Sequence, residues 1–374
     1  MTTAILYSKL NYDSNYKLIQ LTPEIFGALY AKKTLEFKAT DPEQPVVLCS
    51  EDTTWILKQK NHSNTVLLMK EVGSHINSST PNALIDKAQL CTHHLGFTKL
   101  DSELEPRLTE GQINFTSLPI YNGDKSEFLN NTKDRSLTYW SLENVKRCSP
   151  CSEREFNNKW HSIGGCVING YACLLSHDFI SRTLHIMLMS CMAENLALDE
   201  MEIDRTFEAV KKDIDDTDSN ITFTKEMIAT VIGKFCTPCG STTWKLDEKL
   251  VSVWYGIIAL KKFASSRMIS EDEFMIKWKS QFPPYFSCNL DFSVLRGHFY
   301  RPLGSGVQYL SVSTLPNDVR DRFKHLFKLQ STWELEEIEP YIKGLNIKGL
   351  KIDSFVMKYA RRRKQGKRTL VSSR

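Results

Sequence analysis

Eight basic residues crowd the end of the chain with no acid among them: Lys358, Arg361, Arg362, Arg363, Lys364, Lys367, Arg368 and Arg374. Guanidinium and ammonium groups at that density neutralise a polyanion. The whole chain carries a net charge of +4, so residues 1–357 stand at −4. An acidic body with a basic end points to nucleic acid or to an anionic membrane surface. Lys358, Arg361, Arg362, Arg363, Lys364, Lys367 and Arg368 are therefore the candidate nucleic-acid contacts. Neutralising Z phosphates gives a log–log salt slope of about −0.9Z. The segment lacks the polar side chains that read base edges, so little sequence preference is expected. A run of this composition also suits a nuclear import signal.

Other patterns of chemically active residue types are weaker. Two Cys-x-x-Cys pairs, Cys148/Cys151 and Cys236/Cys239, stand 84 residues apart, where zinc knuckles usually pair within about 15–20 residues. A redox pair needs a strand–helix junction, whereas Cys236 closes an amphipathic helix. No metal or cofactor is expected. His93-His94 near Cys91 reads as a loop. Gly344 and Gly349 have the glycine spacing of a nucleotide loop, but Leu350-Lys351 stands where Lys-Ser/Thr is required, and the segment joins two helices. The glycines read as helix terminators. With no nucleophile, metalloprotease or paired-carboxylate constellation, the chain is expected not to be an enzyme.

The elements that must hold the basic residues come next. At 41% apolar and 25% charged, the 374 residues can bury real cores in two or three domains. The richest apolar run, 179–198, is interrupted by Arg182, His185, Glu194 and Asn195. It reads as a buried helix and not as a membrane span. The opening MTTAILYSKL lacks the features of a secretory signal. Cys49, Cys166, Cys173 and Cys191 sit inside apolar runs, as reduced core thiols do in an intracellular protein.

The fold class expected is α+β: an N-terminal β-rich domain followed by tandem winged helices. Residues 1–75 form short strands (17–21, stopped by Thr22-Pro23; 34–38; 46–49; 54–58; 65–69), with a polar turn over Gln59–Asn64. So few residues make a poor independent barrel, and unpaired edges are costly. A half-barrel completed by other chains is the fair expectation. Residues 76–147 read as a connector packed on it. Beyond them, Asn169-Gly170 marks a type I′ hairpin, and Ser176 caps a long helix. Met227, Ile228, Val231, Ile232 and Phe235 form one helical stripe, and Leu250, Val251, Trp254, Ile257 and Ile258 another. Asp213 to Asp216 reads as a solvated loop. Ser270-x-x-Glu273 and Ser331-x-x-Glu334 start further helices. Phe299–Arg301 and Val307–Leu310 flank a glycine loop as a second hairpin. Ile352, Phe355, Val356, Tyr359 and Ala360 form a last stripe. Continued as helix, it brings Arg362 and Arg363 to a face that cannot be buried, so the helix is expected to leave the domain basic on all sides. Helix clusters followed by hairpins suggest winged helices at 148–247, 248–313 and 314–374.

Several stretches resemble a known family: Tyr16–Glu24, Val46–Ser50, Lys60–Met69, Phe274–Ser280 and, most strongly, Leu350–Arg363 running on to the end. They are similar to the budding-yeast family of sister chromatid cohesion protein (defective in sister chromatid cohesion protein 1). The resemblance implies a non-catalytic subunit of an alternative, replication factor C-like clamp loader, acting in the nucleus on the sliding clamp. That complex has a dedicated large ATPase subunit, a very small subunit and four shared small ones. The resemblance also implies an N-terminal barrel shared with the large and very small subunits. Its tandem winged helices would meet DNA and the catalytic subunit of polymerase epsilon. Arg361–Lys364, Lys367 and Arg368 match the family's basic end. The alternative expectation is a free-standing winged-helix DNA-binding regulator.

Overall fold

The computed structural model describes residues 3–5, 15–40, 44–72, 93–123, 140–215, 223–302, 306–346, 349–366 and 368–374. They divide into two compact units, Met1–Ile120 with Lys125–Leu174 and Tyr121–Asp124 with Leu175–Arg374. The protein is mixed α+β, and no helix among the described residues is long and apolar enough to cross a membrane.

The first unit is organised by one sheet. Its elements are β1 (Thr3–Ile5), β2 (Leu18–Ile19), α1 (Pro23–Tyr30), β3 (Glu36–Lys38), β4 (Val47–Cys49), β5 (Thr54–Val72) and β6 (His93–Thr109). The strand order is β1-β6-β5-β4-β3, with β2 also on β6. β1 and β2 run parallel to β6, and the remaining neighbours are antiparallel. Thr22 and Pro23 not only end a strand; they start α1. The Thr22 side chain accepts from the Ile25 amide, and Pro23 occupies the first turn, where its missing N–H costs nothing.

The polar turn expected at Gln59–Asn64 is absent, because β5 runs through it. β6 pairs with β5 from Thr109 opposite Thr54 to His93 opposite Val72, and the extra residues on β5 are absorbed as a register shift between Asn61 and Val66. β6 falls in the segment read from sequence as a connector, and it places the His93-His94 backbone in a strand, not a loop. The sheet needs this second long strand, since β5 alone would leave an unpaired ladder on its long edge.

After β7 (Ile120–Tyr121) come α2 (Leu142–Cys148), α3 (Glu153–Trp160), β8 (Gly165–Ile168) and β9 (Tyr171–Leu175). Asn169 and Gly170 both adopt positive φ, 53° and 85°, as a type I′ turn demands, and β8 and β9 pair across them. Glu155 ties the unit together. Its carboxylate accepts from the Gly111 amide, the Ser152 amide and hydroxyl, and the Thr54 hydroxyl of β5. A Cβ on Gly111 would stand 2.3 Å from Cys151 Cβ, so this close approach requires glycine.

The second unit repeats one arrangement three times. The first copy is α4 (His177–Ala193), β10 (Met201–Glu202), α5 (Ile203–Asp215), α6 (Lys225–Phe235), β11 (Cys236–Pro238) and β12 (Thr243–Leu246). The second is α7 (Glu248–Phe263), β13 (Ile269–Ser270), α8 (Glu271–Lys279), a 3-10 turn over Phe292–Leu295, β14 (Phe299–Tyr300) and β15 (Gly306–Tyr309). The third is α9 (Val319–Leu329), β16 (Thr332–Glu334), α10 (Leu335–Ile342), α11 (Ile352–Tyr359), β17 (Arg361–Gln365) and β18 (Arg368–Ser372). In each copy the last strand is central and the order is first, third, second. The second copy departs from the others in holding a 3-10 turn in place of the third helix.

Local signals decide most of these helices. Ser176 accepts from the Phe179 amide at the start of α4, and Ser270 from the Glu273 amide at the start of α8. Met227, Ile228, Val231, Ile232 and Phe235 are all buried on α6. Three expectations need correction. Ser331 starts a strand and not a helix, because Trp333 pairs with Val371 and both are fully buried; α10 begins afterwards without a side-chain cap. Residues 213–215 end α5 and are no loop, with Asp213 accepting from Ser190. On α7, Leu250 is exposed, and the buried face is Val251, Ser252, Tyr255, Gly256, Ala259 and Leu260. Its small residues admit close neighbours: a Cβ on Gly256 would lie 2.6 Å from Leu295 Cδ2 and 3.0 Å from the Trp278 ring.

Candidate nucleic-acid interface

The basic residues lie on a hairpin and not on an extended helix. α11 ends at Tyr359, and Ala360, 3% exposed, turns extended with φ −138° and ψ 167°. Burying this small side chain anchors the exit, and the chain continues as β17. Gly366 at φ 60° begins the reversal into β18. The helix expected to run on through Arg362 and Arg363 stops because the hairpin offers their backbone a full ladder. Arg361 faces Ser372, Arg362 faces Val371, Arg363 faces Leu370 and Lys364 faces Thr369.

Strand alternation separates the cations. Arg362 shares a face with buried Val371 and Trp333. Its Nε lies 3.1 Å from Asp353 Oδ1, close enough for charge attraction but without the alignment of a hydrogen bond. Arg361 and Arg363 lie on the opposite face, and every residue of β17 is exposed. Arg368 donates to Glu334 Oε1 at 2.9 Å. Among the described residues, Arg361, Arg363, Lys364 and Lys358 meet no carboxylate within ion-pair distance. The side chains of Arg361 and Arg363 are two residues apart on one strand, about 6.5–7 Å along it. Lys367 lies outside the described residues. The structure thus brings Arg361 to Lys364 and Arg368 onto one hairpin, with Lys358 on the helix that feeds it.

A rigid base holds this hairpin. Arg322, 4% exposed, donates to the carbonyls of Pro316, Tyr341 and Leu315 and to Asn317. Trp333 Nε1 donates to the Leu326 carbonyl. The third copy is also bolted to the second. Tyr341 Oη donates to the Phe299 carbonyl at 2.7 Å, and burial raises the Tyr341 phenol above its usual range. Arg301 bridges Glu271 at 2.8 Å and Glu337 at 2.9 Å, with its guanidinium over the Phe292 and Phe299 rings. Burial works against that charge, but the two carboxylates raise the Arg301 pKa. No stripe or motif signalled Arg322 or Arg301, because a buried arginine reads as a surface one in sequence. Glu155 was missed, although Ser152-x-x-Glu155 has the pattern of a capping box that could have found it.

One cysteine of each pair is a packing group: Cys151 and Cys236 are buried, whereas Cys148 is half-buried and Cys239 exposed. Burial pushes the Cys151 and Cys236 thiols up to about 12, so both are neutral near pH 7. Among the described residues no three His, Cys, Asp or Glu side chains gather as a metal site.

Comparison with known proteins finds relatives over nearly the full length of the chain. A family model described as Sister chromatid cohesion protein Dcc1 matches residues 16–342. The Saccharomyces cerevisiae Sister chromatid cohesion protein DCC1 is 46% identical over 379 residues, covering 99% of each chain. The human protein of that name is 24% identical over 366 residues, covering 92% of this chain and 85% of its own. A Dictyostelium discoideum protein described as a probable member is 22% identical over 96% of this chain and 94% of its own.

Proposed function

The chain belongs to the sister chromatid cohesion protein Dcc1 family, and from that premise we propose that it is a non-catalytic adaptor subunit of an alternative clamp loader. On this reading it works in the nucleus, acts on the sliding clamp only through the complex, and serves DNA replication as well as sister chromatid cohesion. The relatives are named as cohesion proteins and not as enzymes.

One observation carries the proposal: three copies of the same helix–strand–helix–hairpin arrangement, the last bearing unpaired cations on its hairpin. Helix–strand–helix–helix–hairpin with the final strand central is the winged-helix order, and a winged helix offers DNA its third helix and its hairpin. On this reading the winged-helix units would span 177–246, 248–309 and 319–372, while 142–174 belongs to the first compact unit. Arg361, Arg363 and Lys364, with Lys358 beside them, would contact phosphates in a winged helix of this kind. The catalytic subunit of polymerase epsilon is the proposed protein partner of the repeated unit. In the first unit, β3 ends the sheet with Phe37 59% exposed, and α1 exposes Phe26, Leu29 and Tyr30. Such an apolar margin suits a barrel completed by the large and very small subunits of the loader.

Two measurements test this. Affinity purification of the tagged full chain at moderate salt, with partners identified by mass spectrometry, should recover a clamp-loader ATPase core and a very small companion. Recovery of the protein alone, folded and binding duplex with sequence preference, would establish the free-standing regulator instead. Separately, changing Arg361 and Arg363 to Ala should weaken duplex binding and flatten the salt slope by about 1.8, the share of two phosphates. An unchanged slope would place the phosphate contacts elsewhere.

A further inference from the structure

The unpaired cations of β17 stand beside a groove of opposite character. A cavity of about 510 Å³ within the second unit is lined by Glu271, Asp291, Arg296, Arg301, Glu334, Glu337 and Arg368, together with Phe292, Ser293 and Phe299. Each arginine there is answered by a carboxylate: Arg296 by Glu336 at 2.7 Å, Arg301 by Glu271 and Glu337, and Arg368 by Glu334 at 2.9 Å. The cationic strip therefore does not continue into the groove. Arg368 marks the change. It lies on the hairpin that carries the free cations, yet its charge is directed at β16.

We infer that Glu334 limits the nucleic-acid affinity of this hairpin, by holding Arg368 away from phosphate. The inference rests on the reading of β17–β18 as the DNA contact. The sheet supports it directly. Glu334 faces Leu370, and Leu370 faces Arg363, so the three form one row across β16, β18 and β17. Arg368 lies two residues before Leu370 and so on the same face. A carboxylate in that row competes with an approaching phosphate for the Arg368 guanidinium.

Among the described residues nothing else requires the carboxylate. Glu334 precedes α10 but makes no side-chain cap bond there. Its hydrogen-bond partner is Arg368, and Glu336 and Glu337 retain negative charge in the first turn of α10. A carboxamide in its place should therefore leave the repeat folded.

The test uses the full chain and a mixed-sequence duplex, with binding followed by fluorescence anisotropy between about 50 and 200 mM salt. Glu334→Gln should bind about two- to fivefold tighter, since an exposed charge pair of this kind is modest. Its salt slope should steepen by about 0.9, the share of one added phosphate. In an Arg368→Ala background the same change should bring neither gain. Unaltered affinity and slope for Glu334→Gln would overturn the inference. So would a gain that persists without Arg368, because the carboxylate would then act as a remote charge. The Arg361→Ala/Arg363→Ala protein separates the levels. If it binds weakly while Glu334→Gln is neutral, only this inference fails; if it too binds as wild type, the hairpin reading fails with it.

Discussion

The third repeat and the N-terminal helix treat their apolar residues in opposite ways. In the repeat, Leu326, Trp333, Ile338, Tyr341, Ile342, Val356 and Val371 form a core from which water is fully excluded. In α1, Ile25 alone is buried, against Leu48, Trp55 and Leu57 of the sheet. Phe26, Leu29 and Tyr30 are 58, 48 and 85% exposed. The difference is one of self-sufficiency. Three helices and a three-stranded sheet of about 55 residues can enclose an aromatic core. A sheet with one short helix beside it encloses less than it displays. An exposed aromatic helix next to a sheet margin is an uncommon expense in a monomer, and on the proposed function it is the part that others complete.

The sharpest way to break this comparison is to open the closed core. Trp333→Ala removes a fully buried indole and its hydrogen bond to the Leu326 carbonyl. It should cost about 3–5 kcal/mol in denaturant unfolding. A loss under about 1 kcal/mol would mean that the repeat tolerates a cavity and is no better closed than α1.

Arg322 gives the next effect. It is a buried charged group of the self-contained repeat, and its charge is answered by carbonyls. Arg322→Ala leaves those carbonyls unpaired and should cost about 2–3 kcal/mol, read from the midpoint of the same transition. Arg322→Lys should recover only part of this, since one ammonium cannot reproduce the fork.

Glu155 carries the corresponding weight in the first unit, and there the loss should depend on pH. Burial raises its pKa, but the donors Gly111, Thr54 and Ser152 outweigh burial and hold the carboxyl below its ordinary value. A folded-state pKa below the unfolded one stabilises the protein above the unfolded value, and that stabilisation disappears as pH falls through the folded value. Wild type should therefore lose stability below about pH 4.5 as this carboxylate protonates. Glu155→Gln should cost about 1–2 kcal/mol at pH 7, and the gap between the two proteins should close in acid. A gap that is constant with pH would show that shape, and not ionisation, makes the hub.

Much of the second unit was legible in the chain, because its signals are local. Ser176, Ser270 and the stripe ending at Phe235 each fix a cap or a face within a few residues, as Asn169-Gly170 fixes a turn in the first unit. The failures share a cause, which is a partner distant in sequence. β5 runs through a polar stretch because β6, some 40 residues on, supplies its ladder. Ser331 opens a strand because Trp333 is paired with Val371. The buried face of α7 turns on Gly256, where the side chains of Trp278 and Leu295, distant in sequence, approach the helix. At the candidate interface, composition revealed the cations. Their arrangement on alternate faces of a hairpin, and the answering carboxylates Asp353 and Glu334, came only with the fold.

The smallest effect on the chain alone should come from α1, and that smallness is the point. Phe26 and Tyr30 stack on each other with ring centroids 6.4 Å apart, but both rings face solvent. Replacing both with Ala removes little buried surface, so the unfolding free energy of the isolated protein should move by no more than about 0.5 kcal/mol. If partner chains complete this margin, the same double change exposes its cost only in the assembly. Recovery of the very small companion and of the large subunit should fall, while duplex binding through β17–β18 stays at its wild-type value. Destabilisation of the isolated chain by about 2 kcal/mol or more would show that α1 already belongs to a closed core. The contrast between the two regions would then vanish. Full recovery of partners with an unaltered chain would leave the contrast standing and move the completing surface away from α1, toward the free edge of β3.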